Sequence, residues 1–272
     1  MYLKNINKKY GDNEIFNNFN LSIPNNKITI ILGDSGVGKS TLLNIISDDT
    51  EFQGEVIDEI PRTFSAVFSE QRLLKNLTVY GNLDYVLKNK IRDKKERNNL
   101  IYKKLESLEI LDKINDYPSA LSTGIGQRVA LARAFLYPSN TIIMDEPFRG
   151  LDIGIKARLI KLFYNIWMEN KQTVVMVTHD VNEALLMADK IVVIGNKPAT
   201  IKYEVSLNGV QNDRDLAEDQ YKNYYSEILS VFLTIRQGLF LPRKIVQPKT
   251  RICTCSIDGM RKTAPGSRSS GK

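Results

Sequence analysis

The chain has 272 residues, 42% hydrophobic and 25% charged, enough to bury a core in one large α/β domain or two small ones. Its net charge of +7 comes from residues 242–272, where 8 Lys/Arg face 1 Asp; the 30 charges of each sign before them give no basic surface from which to argue a nucleic-acid partner. No apolar run approaches the ~18 residues of a membrane span, the first residues lack an export signal, and both cysteines, Cys253 and Cys255, fall in the basic segment, so a cytosolic body without disulfide or thiol chemistry is expected.

In chain order, Tyr2–Lys8 and Ile15–Ile23 read as strands of an antiparallel N-terminal sheet, and Pro24-Asn25-Asn26 reads as a turn. Ile28–Leu32 is an apolar, β-branched run that reads as a buried strand. It leads into Gly33-Asp34-Ser35-Gly36-Val37-Gly38-Lys39-Ser40-Thr41, which fits the phosphate-loop pattern G-x-x-x-x-G-K-[ST] at every fixed position. A helix start follows in Thr41–Ile46, completing strand, loop and helix. Glycines let the backbone wrap around phosphate oxygens, and amides at a helix N-terminus offer partial positive charge. Lys39 adds a full charge near the terminal phosphates, and the Ser40 hydroxyl suits Mg²⁺. The expected ligand is a nucleoside triphosphate.

Thr63–Phe68 reads as another strand. Thr78–Leu111 changes to helical spacing, with Leu83, Val86 and Leu87, then Ile101, Leu105 and Leu108; the charged run Lys88–Arg97 between them reads as a solvated helix face and turn. A helical insertion over about residues 72–136 is predicted. Within it, Ser122 is placed to cap a helix running through Phe135, and Gly124 and Gly126 beside that helix start make a second surface suited to phosphate. A protein that closes a second subunit over the nucleotide would need two such surfaces.

Strand Thr141–Asp145 ends in Asp145-Glu146-Pro147. Ligands collect at the carboxyl ends of parallel strands, so Asp145 is a candidate Mg²⁺ ligand and Glu146 a candidate base for an attacking water. His179, the single histidine, follows strand Thr173–Thr178 and fits either a structural or a catalytic role. Lys190–Ile194 reads as a further strand and Asp213–Gln237 as a helix whose Tyr221, Tyr224 and Tyr225 serve packing. Beyond Pro242 the pattern stops, and the basic segment 242–272 is expected to be a disordered tail after a body of residues 1–241. Strands alternating with helices predict an α/β fold with a mainly parallel sheet.

Together these residues resemble the ATP-binding subunit of an ABC transporter, across nearly all of residues 1–240. Leu121–Arg128 resembles the family signature, Thr141–Pro147 the magnesium and catalytic strand, and Gly150-Leu151-Asp152 the loop toward the opposite subunit; His179 falls at the switch histidine and Tyr10 at the aromatic that stacks on adenine. The resemblance implies a P-loop ATPase core, an antiparallel β subdomain and a helical subdomain. It implies a head-to-tail dimer, or a paired ATPase subunit, around ATP and Mg²⁺, with Ser122 and Gly124 reaching the γ-phosphate held by the other subunit. Val67–Leu74 and Asp145–Asp152 further resemble importer subunits of the nitrate, sulfonate and taurine group. That implies transmembrane permease subunits, an extracytoplasmic solute-binding protein reached indirectly, and a place on the cytoplasmic face of the membrane. Ser69 stands where the family has a loop glutamine, with Gln71 two residues on; Thr123 replaces a signature glycine, and Arg149 puts a large charge in the intersubunit loop. These departures keep a weakly hydrolysing regulatory subunit as an alternative, beside a soluble ATPase acting on ribosomes or DNA.

Overall fold

A computed structural model describes residues 1–209, 211–237 and 243–246. The N-terminal half runs β1 (Tyr2–Tyr10), β2 (Asn13–Ser22), β3 (Ile28–Leu32), α1 (Lys39–Ile46), β4 (Gln53–Ile57), β5 (Phe64–Phe68), α2 (Val79–Leu87), α3 (Lys94–Ser107) and α4 (Thr123–Leu136). It continues with β6 (Thr141–Asp145), α5 (Ile153–Asn170), β7 (Thr173–Thr178), α6 (Val181–Met187), β8 (Lys190–Gly195), β9 (Thr200–Ser206), α7 (Asp219–Arg236) and β10 (Lys244–Val246).

Two sheets result. One is antiparallel, ordered β2-β1-β4; the other has seven strands ordered β10-β9-β8-β3-β7-β6-β5. In the larger sheet β3 runs parallel to β7 and β8, and β6 parallel to β7 and β5, while β9 is antiparallel to β8. Parallel strands covered on both faces need no polar side, which is why β3, β7 and β8 are buried at every position. Their alternate residues feed separate cores. Ile28, Ile30 and Leu32 join the helices α2 to α7 on one face, and Ile31 joins α1 and the antiparallel sheet on the other.

The helices α2, α3 and α4 occupy the chain between β5 and β6. Thr78 caps α2 by accepting from the Gly81 amide at 3.1 Å. The charged stretch after Leu87 is the connection into α3, whose own cap is Asp93. Among the described residues, no helix is long and apolar enough to cross a membrane.

The strands expected at 28–32, 141–145 and 173–178 have those bounds, and those at 63–68 and 190–194 differ by one residue. Three others carry little sequence signal. β4 is largely exposed and polar, β9 depends on pairing with β8, and β10 is three residues long. β10 corrects the expectation that order stops at Pro242: Lys244–Val246 add a parallel strand to β9, helped by ion pairs from Arg243 to Glu204 and, at 2.8 Å, from Lys244 to Glu227. The helix expected from Asp213 begins at Asp219, because Gln211–Asp213 forms a 3₁₀ turn instead. Residues 247–272, with both cysteines and Ala264–Lys272, lie outside the described residues.

Candidate functional site

The loop from Gly33 to Gly38 joins β3 to α1 at the carboxyl edge of the parallel sheet. Gly38 has φ +111°, and a Cβ there would stand 2.6 Å from the Ile15 side chain, so no larger residue fits where the loop passes β2. A Cβ at Gly33 would stand 2.8 Å from the Ile194 carbonyl. Val37 is buried, whereas Ser35 and Gly36 are exposed and Asp34 and Thr41 half-buried, which leaves the rim of the loop open.

Lys39 folds back across this loop. Its Nζ donates to the carbonyls of Gly33 at 2.7 Å and Asp34 at 3.0 Å. Burial holds its pKa below the ordinary lysine range, against the opposing pull of Glu146, Asp145 and Asp34. Beside it, the Ser40 hydroxyl donates to Asp145 Oδ2 at 2.9 Å. A hydroxyl and a carboxylate meeting here are hard oxygen donors of the kind Mg²⁺ takes. Among the described residues no group of three or more His, Cys, Asp or Glu could hold a metal, so phosphate oxygens and water would have to complete the shell.

Glu146 leaves the sheet with φ +46°, its amide donating to the Val177 carbonyl at 3.0 Å. Oε1 lies 3.1 Å from His179 Nδ1, and Oε2 lies 3.3 Å from the Arg149 guanidinium. The fold thus brings Lys39, Ser40, Asp145, Glu146 and His179 together from the ends of β3, β6 and β7. A partly buried network lies behind the histidine loop. Lys156 of α5 pairs with Asp180 and Glu183, each at 2.8 Å, and Glu183 accepts from the Thr178 hydroxyl at 2.7 Å.

Other expected residues are held by contacts of their own. Tyr10 is 49% exposed at the tip of the β1–β2 hairpin, with Lys8 Nζ 4.5 Å from its ring centre. Ser122 caps α4, accepting from the Ile125 amide at 3.4 Å, and a Cβ at Gly124 would lie 2.9 Å from Ile155 of α5. Gln71 turns its amide to the Thr123 carbonyl, at 3.2 Å. One contact escaped sequence reasoning: Arg236, near the end of α7, pairs with Asp34 of the phosphate loop at 3.0 Å. At a separation of 202 residues, no local pattern could announce it. The surface cavities of about 420 Å³, between α6 and α7, and about 220 Å³, beside α5, hold neither a phosphate cradle nor the paired acids.

Residues 16–149 match the ABC transporter family. The aliphatic sulfonates import ATP-binding protein SsuB of a Bacillus cereus strain is 33% identical over 238 residues, covering 84% of this chain and 92% of that protein. The chain belongs to the ABC transporter family. SsuB 2 of Pseudomonas syringae pv. tomato is 34% identical to this ABC protein, over 82% of the chain and 94% of the relative. Among solved structures, the dimeric post-hydrolysis state of the ATP-binding cassette MJ0796, bound to ADP and Pi, aligns with TM-score 0.66 and 31% identity over 77% of this chain and 100% of that one. The cassette cbiO1 from Clostridium perfringens shares the fold, with TM-score 0.70 and 22% identity over 87% and 96% of the two chains. This ABC chain is an ATP-binding ATPase subunit of the importer type.

Proposed function

We propose that the converging group is a Mg-ATP site working in a pair of subunits. The observation that carries this reading is the Ser40–Asp145 contact at 2.9 Å, set between the Lys39 ammonium and the Glu146–His179 pair. In this reading the amides of Gly33 to Thr41 and the Lys39 ammonium hold the phosphates, and Tyr10 offers its exposed ring face to the adenine. Ser40 and Asp145 would hold Mg²⁺, which neutralises phosphate charge when bound. Glu146 takes the proton of the attacking water, and His179 holds its carboxylate in place.

Ser122 and Gly124, at the start of α4 with Gly124 against Ile155 of α5, would face the nucleotide of a second copy or a paired ATPase subunit. The dimeric MJ0796 cassette supports that arrangement. The pair would sit on the cytoplasmic face of the membrane against permease subunits, with a solute-binding protein delivering cargo from the other side. The sulfonate importers among the relatives make an aliphatic sulfonate the first cargo to test.

The test is the Glu146→Gln variant with saturating Mg-ATP. A dimer that forms only with nucleotide is expected; a strictly monomeric protein would count against the two-subunit site. Pull-down from detergent-solubilised membranes then tests the partners, with a multi-span membrane protein expected. A second reading, a weakly hydrolysing regulatory subunit, draws on Gln71 facing α4 rather than Asp145. Negligible turnover that Glu146→Gln leaves unaltered would favour it.

A further inference from the structure

We propose that Gln71 is a positioning residue for the phosphate-facing end of α4, an inference that rests on the two-subunit reading above. The segment after β5 is clamped to α4 at several points. Gln127, 1% exposed, donates from Nε2 to the Phe68 carbonyl at 3.1 Å. Arg133, one to two turns further along the helix, donates to the carbonyls of Gln71 at 3.0 Å and Arg72 at 2.9 Å. Arg72 takes φ +47° and lays its guanidinium 3.7 Å from the Phe68 ring centre. Charged donors on main-chain carbonyls are among the stronger hydrogen bonds, so this stretch of backbone is fixed relative to the helix.

From that fixed backbone the Gln71 side chain returns to the start of α4. Its Nε2 donates to the carbonyl of Thr123, the first residue of the helix, at 3.2 Å. The side chain lies over Gly126, where a Cβ would stand 3.2 Å from the Gln71 carboxamide carbon and 3.4 Å from Cγ. Gly126 therefore leaves the room that the contact uses.

The other end of the path reaches the acids. Phe68 pairs in register with Asp145 across β5 and β6. A short series of contacts thus runs from Asp145 through Phe68 and the clamped segment to Gln71, and from Gln71 to Thr123, between Ser122 and Gly124. The links are a strand pairing, the main chain from Phe68 to Gln71 held by Gln127 and Arg133, and a side-chain hydrogen bond. Gln71 fixes the orientation in which the Ser122 hydroxyl and the Gly124 amide meet the nucleotide of the other subunit. Its side chain does this from the α4 side, while Ser40 meets Asp145 directly.

The experiment places Gln71→Glu in the Glu146→Gln parent and measures two quantities: ATP affinity of the dilute monomer, and the Mg-ATP-dependent dimer dissociation constant by sedimentation. Gln71→Glu keeps the size, loses the donor and sets a carboxylate against a carbonyl. The dimer is expected to weaken by about tenfold, the loss of one hydrogen bond plus an unfavourable contact, with monomer affinity within about twofold of the parent. Gln71→Lys, which keeps a donor, is expected to recover most of the dimer. Gly126→Ala, which crowds the same side chain, should weaken the dimer in the same direction. A Gln71→Glu protein that dimerises like its parent overturns the inference. So does a fall in monomer ATP affinity that matches the dimer loss, because it would place Gln71 on the nucleotide of its own chain. If the parent itself stays monomeric while Gln71 is intact, the two-subunit reading fails and takes this inference with it.

Discussion

Arg149 turns back to the acid three residues before it, setting its guanidinium 3.3 Å from Oε2 of Glu146 while His179 Nδ1 lies 3.1 Å from Oε1. In the role proposed for Glu146, a carboxylate shared between them is less available to the attacking water. Arg149 is 68% exposed, and ion pairs of that kind are worth under about 1 kcal/mol. Arg149→Ala is therefore expected to raise kcat by about two- to fivefold, with the KM for ATP little changed. Steady-state ATPase assays check this, and a lower kcat would mean that the arginine assists the reaction.

Lys39 is the buried cation of the phosphate loop, held here by two carbonyls. Lys39→Ala should abolish ATP binding in a fluorescent-nucleotide titration. Undiminished affinity would remove the phosphate assignment. Gly38→Ala should also impair binding, since φ +111° and the Ile15 contact leave no space for a methyl group.

The network behind His179 makes stability depend on pH at both ends. For Asp180, burial pushes the pKa up, but the Lys156 ammonium and the α6 amides outweigh it and hold it below the ordinary range. Its contribution is present above the unfolded value of about 4 and is lost as pH falls through the folded value. Burial raises Glu183, which opposes that acid loss. For Lys156, burial lowers the pKa, and the two carboxylates more than reverse it. Its contribution is present below about pH 10 and is lost as pH rises through the folded value. Asp180→Asn should flatten the acid limb of a stability–pH curve. Lys156→Met, which strands the buried Glu183, should cost about 3 kcal/mol in urea unfolding and lower kcat through the histidine loop.

Asn82 is fully buried at the entry to the helical layer. It accepts from the Leu74 amide at 2.8 Å and donates to the carbonyls of Leu74, Leu77 and Thr78 at 3.0 to 3.2 Å. Asn82→Leu keeps the volume but takes the side-chain partner from the Leu74 amide and the Leu77 carbonyl, while the Leu74 and Thr78 carbonyls keep main-chain donors, and a loss of about 3 kcal/mol in urea unfolding is expected. A change below about 1 kcal/mol would show that the turn finds other partners.

Elements whose signal is local can be read from the order of residues alone. Ile28–Leu32 and Thr173–Thr178 are continuous β-branched runs because both faces of a parallel sheet are covered, and the phosphate loop is legible because its glycines, lysine and serine act within nine consecutive residues. Pairings between distant segments were left to the tertiary structure. Ser40 meets Asp145 only because parallel crossovers carry both strand ends to the same edge of the sheet, and Asp34 meets Arg236 only because α7 packs back beside β8, with Ile235 against Gly195. The strand at Lys244–Val246 exists because β9 offers it a partner, not because three residues carry a pattern. The direction of Gln71 was decided in the same way. The resemblance puts Gln71 two residues past the place of the family's loop glutamine, and the backbone clamp from Arg133 and the open face of Gly126 turn it to Thr123.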